Sequence, residues 1–202
     1  MKKKRLNLNV VLVEPNGPLN VGSIARLCSN FDVNELRIVS PKCDIFSLEA
    51  KKMALKGHRY IDNCKIFNSI EHAIFDCDLV IATCGRIDLS NDIECESPED
   101  ISKWISSFVE INNLGILFGR EDRGLSNNEL LFAHKILNIK TSQNYPSLNL
   151  SHAVSIILYE LNKSSTNNPE KDLQVFDLAS SKQIYESFKE IEEMLIRTGY
   201  LL

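Results

Sequence analysis

Short, wholly apolar runs alternate along the chain with stretches whose apolar positions recur every three or four residues. The first pattern predicts buried strands at Leu8 to Val13, Leu36 to Val39, Leu79 to Thr83, Leu114 to Phe118 and Ile136 to Ile139, with a weaker candidate at Cys64 to Phe67. The second predicts helices. One starts near Val21, with Ile24, Leu27, Cys28 and Phe31 on one face. Others cover Ser47 to Leu55, Ile70 to Phe75, Ser97 to Phe108 and Ala153 to Leu161. The helix at Ser97 carries Pro98 in its first turn and Glu99 and Asp100 at its positive end. Apolar strands separated by helices predict an α/β fold, a mostly parallel sheet with helices on both faces.

The pattern changes after Leu161. Asn162 to Asp172 is polar and rich in Ser and Asn, which reads as a linker. Beyond it Ile184, Phe188, Ile191 and Leu195 form the stripe of an amphipathic helix. Ser180 and Gln183 offer a capping box at its start and Gly199 a stop. Such a stripe must pack on the domain body or on a second subunit, since the helix alone is marginal. The expected division is a main domain over 1–162, a linker over 163–177 and a C-terminal helix over 178–202.

Composition adds limits. The chain has 202 residues, 44% hydrophobic and 25% charged, enough for one domain with its own core. No apolar run of about 18 residues exists, so no membrane association is expected. Met1 to Arg5 is basic, but the apolar stretch that follows is short and ends at Glu14-Pro15, unlike a secretion signal. The six cysteines form no C-x-x-C pair and the four histidines stand apart, so no metal site is expected. Free thiols fit a reducing cytoplasm. The net charge is -4, yet residues 1–60 carry +6 and the remainder -10. That distribution allows either a basic face for a polyanion or charge scattered over a solvated surface.

Three loops at expected strand ends carry candidate chemistry, because ligands in open α/β sheets bind outside the carboxyl ends of the strands. The first holds Asn20, Gly22 and Arg26. It reads as an anion site with close backbone approach at Gly22, or as an N-capping Asn with a surface Arg. The second, Gly119 to Gly124, sets Glu121 and Arg123 between two glycines, as a site or as a tight turn with a solvent ion pair. The third leads through Ser147-Leu148-Asn149 into a helix, where Ser147 or Asn149 is a natural N-cap. Neither a G-x-G-x-x-G run after the first strand nor a P-loop Lys-Ser/Thr is present.

Together the loops resemble one family. Asn20-x-Gly22-x-x-x-Arg26, then Leu117-Phe118-Gly119-Arg120-Glu121-x-x-Gly124-Leu125, then Ser147-Leu148-Asn149-Leu150-Ser151-x-Ala153 are similar, in order and separation, to the three motifs of the SpoU/TrmH branch of the SPOUT methyltransferases. The likeness runs from about Val10 to Leu161. It extends to the TrmJ-like tRNA 2'-O-methyltransferases through Ile81 to Arg86 and the tail Ser181 to Leu202.

The resemblance implies a C-terminal trefoil knot and an obligate homodimer that transfers a methyl group from S-adenosylmethionine to a ribose 2'-hydroxyl of RNA. The expected RNA is tRNA at the first nucleotide of the anticodon loop, with rRNA, or a non-catalytic RNA-binding dimer on the same fold, as alternatives. Carried over by motif, the cofactor would contact Ala82, Thr83, Gly85, Gly119, Glu121, Ile139, Ser147 and Leu148. Arg26 of one subunit would face the cofactor of the other, with Asn20, Glu121, Ser147 and Asn149 as its catalytic companions. A guanidinium stays protonated in proteins, so Arg26 suits a phosphate clamp that stabilises the developing alkoxide, with a base role left open. Arg5, Lys51, Lys52, Lys56, His58, Arg59 and Arg86, with Arg26, could form an RNA track, or Lys51 to Arg59 could be a solvated helix face.

Overall fold

The computed structural model describes residues 6–85, 94–108, 111–166 and 179–198. Arg5, Arg86 and Gly199 lie outside the described residues.

Seven strands form one sheet: β1 (Asn7–Val13), β2 (Glu35–Val39), β3 (Lys65–Phe67), β4 (Leu79–Thr83), β5 (Cys95–Glu96), β6 (Asn113–Phe118) and β7 (Lys135–Leu137). Their order is β3-β2-β1-β6-β4-β7-β5, and every pairing is parallel. The helices are α1 (Pro18–Asn30), α2 (Leu48–Ala54), α3 (His58–Asp62), α4 (Ile70–Ile74), α5 (Pro98–Ser106), α6 (Asn127–Leu130), α7 (Leu150–Thr166) and α8 (Ser181–Arg197), with a 3-10 turn at Leu55–Gly57.

Side chains alternate across a strand, and here both faces are apolar. Val10, Leu12, Ile38, Ile81, Ile116 and Phe118 join α1, α2, α3, α5 and α7 in one core. Val11, Val13, Val39, Val80, Ala82 and Leu117 join α4, Leu130 of α6 and Phe132 in the other. The expectation of helices on both faces is met. Beneath α4, the buried Arg37 of β2 binds the Ala73 carbonyl, Glu35 and both oxygens of Asp76, which satisfies a charge that burial would otherwise penalise.

Several boundaries differ from the sequence pattern. α1 begins at Pro18 rather than near Val21, with Gly17 as its N-cap. Asn20 is therefore inside the first turn and is not the cap. Gly22 is an interhelical contact: a Cβ there would lie 2.3 Å from the Ala50 carbonyl oxygen of α2. Its small size lets two helices approach, and it is no backbone platform for an anion. β5, α3 and α6 are short and had no clear periodic signal. α6 did carry a legible one, Ser126 and Glu129 spaced as a capping box, which forms. α7 runs on through Thr166, into the stretch read as linker.

α8 starts with the expected capping box of Ser180 and Gln183. Its first turns seat on the second core face. The Tyr185 ring stacks on Phe132 at 4.1 Å between centroids, and Ser181 is buried. Phe188, Ile191 and Met194 further along are exposed. The helix thus packs on the domain body by one end only.

Candidate functional site

All strands being parallel, their carboxyl ends share one edge of the sheet. The residues after β4, β6 and β7 meet there and wall a cavity of about 480 Å³. Its lining includes Thr83 at the end of β4 with Cys84 and Gly85 after it, Gly119 to Gly124 after β6, and Ile139 with Pro146, Ser147 and Leu148 after β7. Leu150, Ala153 and Ile157 of α7 close one side.

The turn after β6 dictates its own glycines. Arg120 and Gly124 exchange backbone hydrogen bonds, Gly124 N–H to Arg120 carbonyl at 2.9 Å and Arg120 N–H to Gly124 carbonyl at 3.3 Å. Gly124 adopts φ +67°, the left-handed region. The chain folds back so closely that a Cβ on Gly119 would lie 2.2 Å from the Gly124 carbonyl carbon. Glu121 at the tip reaches the β1–α1 loop. Its carboxylate accepts from the Asn16 amide at 3.0 Å, the Gly17 amide at 3.1 Å and the Asn20 side chain at 3.1 Å. Those two amides precede α1, so Glu121 fixes the entry to the helix.

The third loop joins the same chain of bonds. The Asn149 side-chain amide donates to Asn20 Oδ1 at 3.0 Å, while Asn149 Oδ1 accepts from the Ser151 amide at 2.9 Å. Asn149 is thus both N-cap of α7 and partner of Asn20: the two readings of this residue are compatible. Thr141 Oγ1 donates to the Pro146 carbonyl and braces the loop. Asn138 donates to the Cys84 carbonyl at 2.7 Å, binding the β7 loop to the β4 loop.

Seven of the eight expected cofactor residues, Thr83, Gly85, Gly119, Glu121, Ile139, Ser147 and Leu148, line this cavity. Ala82 does not: strand alternation turns its side chain into the opposite core. Thr83 Oγ1 is committed to the Leu117 carbonyl at 2.9 Å. Asn20, Glu121 and Asn149 come together, and Ser147 stands on the cavity wall. Arg26 is not among them. It is exposed on α1, beside the 3-10 turn, where a Cβ on Gly57 would lie 2.7 Å from the Arg26 Cα. Lys51, Lys52, Lys56, His58 and Arg59 are exposed on α2, the 3-10 turn and α3, which pack on α1. Arg26 and these cations therefore share one region, and none of them lines the cavity of their own chain. Lys51 pairs with Asp62 at 3.3 Å and Arg59 lies over the Tyr60 ring.

The turn is supported by Arg120 of the second motif and by two residues outside the motifs, Glu14 and Glu129. Arg120 is nearly buried, donating through Nε to Glu14 at 2.7 Å and through both terminal nitrogens to Glu129, each at 2.9 Å. The Arg120 hydrogen bond holds the Glu14 carboxyl below its ordinary range. Burial would raise Glu129, but bonds from Arg120 and Ser126 outweigh it and the net shift is downward. Among the described residues no group of His, Cys, Asp or Glu could hold a metal ion, and no helix is long and apolar enough to cross a membrane.

Residues 7–159 match the SpoU rRNA Methylase family. The chain is 39% identical over 191 residues to tRNA (cytidine-2'-O-)-methyltransferase TrmJ of Methanocaldococcus jannaschii, covering 94% of this chain and 78% of that protein. To the protein of the same name from Sulfolobus acidocaldarius it is 40% identical, with 80% of this chain and 68% of that one covered. The crystal structure of TrmJ from Z. mobilis ZM4 superposes with a TM-score of 0.76 at 27% identity, over 96% of this chain and 81% of that chain.

Proposed function

The chain belongs to the SpoU methylase family, and from that premise we propose that it transfers a methyl group from S-adenosylmethionine to a ribose 2'-hydroxyl of tRNA, in the anticodon loop. The observation that carries this reading is the cavity walled by the loops after β4, β6 and β7, the second and third of which are tied through Glu121 and Asn149 to Asn20 of the first motif.

The cavity suits that cofactor. Its volume is that of a small-molecule site. Leu137, Ile139, Leu148 and Ile157 offer an apolar wall for a flat base, and Gly85 and Gly119 leave backbone exposed to polar groups. When bound, S-adenosylmethionine supplies a methyl group already activated on sulfonium. The chain must then position the ribose and manage the hydroxyl proton. Fixed geometry alone can supply several kcal/mol, with an upper range of about 7–11.

Arg26 serves the cavity of a second subunit in this proposal. It shares an exposed stripe of α1 with Leu19, seven residues before it. Ile156 and Tyr159 on the adjoining α7 are exposed too. A second copy covering this apolar face would bring its own Arg26 with it, to clamp the target phosphate and stabilise the developing alkoxide. Ser147 would orient the ribose from the wall. The loop 138–149, which delivers α7 beneath α1, would be the knotted segment. The free thiols fit a cytoplasmic enzyme.

The test is methyl transfer to separate tRNA and rRNA pools, read by nucleoside mass spectrometry. A 2'-O-methylated nucleoside in tRNA is expected. The mark in rRNA alone would overturn the substrate, and no cofactor binding by calorimetry would overturn the enzyme reading. Arg26→Ala is expected to lower the rate by about 10²–10³ while cofactor binding persists. Near wild-type turnover would remove Arg26 from the mechanism.

A further inference from the structure

Arg120 stands in the cavity lining between Gly119 and Glu121, with its guanidinium engaged by Glu14 and Glu129. The guanidinium spans three separate pieces of chain. Nε holds Glu14, the residue after β1, which adopts φ 46°, uncommon for a side-chain-bearing residue. The two terminal nitrogens form a parallel fork onto Glu129 of α6, and one also reaches the Gly124 carbonyl at 3.4 Å. Glu129 is itself fixed, because its Oε2 accepts from the Ser126 amide at 2.7 Å within the α6 capping box.

These contacts set the relative position of two loops that must agree. Glu14 leads into Asn16 and Gly17, the very amides that Glu121 binds. The guanidinium of Arg120 and the carboxylate of Glu121, side chains of adjacent residues, thus both join the turn after β6 to the segment between β1 and α1. Lysine cannot replace this: an ammonium is a point charge without the planar fork.

We propose that Arg120, locked by its fork onto Glu129, is a positioning residue that holds the Gly119–Glu121 backbone in register with the β1–α1 loop and so keeps the cofactor cavity preformed. This rests on the methyltransferase reading. Arg120 acts through Gly119 and Glu121, and Glu129 acts through Arg120. Glu129 does not line the cavity, which makes it the clean probe.

The experiment compares full-length wild type, Arg120→Lys, Glu129→Gln and the double variant. Each is first shown to be folded by circular dichroism, then titrated with S-adenosylmethionine by calorimetry and assayed for kcat and KM. Both single variants should weaken cofactor binding by a similar factor, up to about 10²-fold as expected for a small displacement of a positioned group. The double variant should be no worse than either, since one fork is broken once. Loss at Arg120→Lys with wild-type affinity at Glu129→Gln would mean direct contact with the cofactor and would overturn the proposal. So would wild-type affinity in both variants, or a reduced melting temperature with unchanged affinity and kcat. If Arg120→Lys does not fold, Glu129→Gln decides alone. Failure of the wild type to bind the cofactor would instead sink the underlying reading.

Discussion

At the scale of single residues, small side chains in this chain do different work at positions that look alike. Gly22 and Gly119 both belong to family motifs, but one spaces two helices and the other lets a turn close. Gly22→Ala drives a methyl into the Ala50 carbonyl and should cost about 1–3 kcal/mol in stability, with cofactor affinity retained by the folded fraction. Gly119→Ala collides with the backbone of Gly124 and Leu125 inside the cavity wall. It should abolish cofactor binding even at temperatures where the protein is folded. Denaturant titration paired with calorimetry separates the two, and equal loss of affinity in both would refute the distinction. A motif read along the chain marks that a glycine is needed but not which neighbour crowds it. Gly22 was therefore legible as special and misread in purpose. Arg120 was legible as a motif position but not in its role, since its partners Glu14 and Glu129 become neighbours only through the fold.

At the scale of elements, the strong periodic segments were readable, while β5, α3 and α6, with no apolar run or stripe of their own, were not. α8 shows both what the pattern captures and what it misses. Its capping box was written in Ser180 and Gln183, but its docking was not. That docking depends on His134. The ring accepts the Val80 amide at Nδ1, 3.1 Å, and meets the Ala179 carbonyl from Nε2 at 2.9 Å. The pairing requires the neutral tautomer with the proton on Nε2. Burial lowers the pKa of this imidazole below its ordinary 6.5, against the two backbone bonds. The sign follows from linkage. The depressed group favours the docked state fully above the ordinary value, and that contribution is lost as pH falls through 6.5 towards the lower folded value. Asp78 accepts the Asn112 and Asn113 amides and Glu96 binds Lys135, so neither carboxylate is placed to hold an imidazolium, and the Lys135 cation would only oppose one. NMR shifts of the Tyr185 ring should move as pH is lowered from about 7.5 to 5.5, and His134→Asn should remove that step. A flat profile in the wild type would refute the latch.

At the scale of the whole molecule, the class of fold was legible because parallel strands buried on both faces are apolar throughout. The strand order was not. It depends on which remote strands share a ladder, as when β6 inserts between β1 and β4. The charge asymmetry along the chain does acquire a place: exposed cations of α2, the 3-10 turn and α3 gather on the side of α1 that carries Arg26. If tRNA phosphates lie there, replacing Lys52, Lys56 and Arg59 by Gln should reduce the slope of log affinity against log salt by about 0.7–0.9 per lost contact. An unchanged slope would make this face a solvated surface. The sheet's own margins carry a further consequence. Its two outermost strands, β3 and β5, run to only three residues and two, and each bears or meets a charge at Lys65, Glu96 or Lys135. Such blunt borders offer almost no free backbone on which a foreign strand could grow. Growth of ribbon-like stacks from the edges of this sheet is thereby disfavoured, so that concentrated protein should resist fibre formation for as long as the domain stays folded.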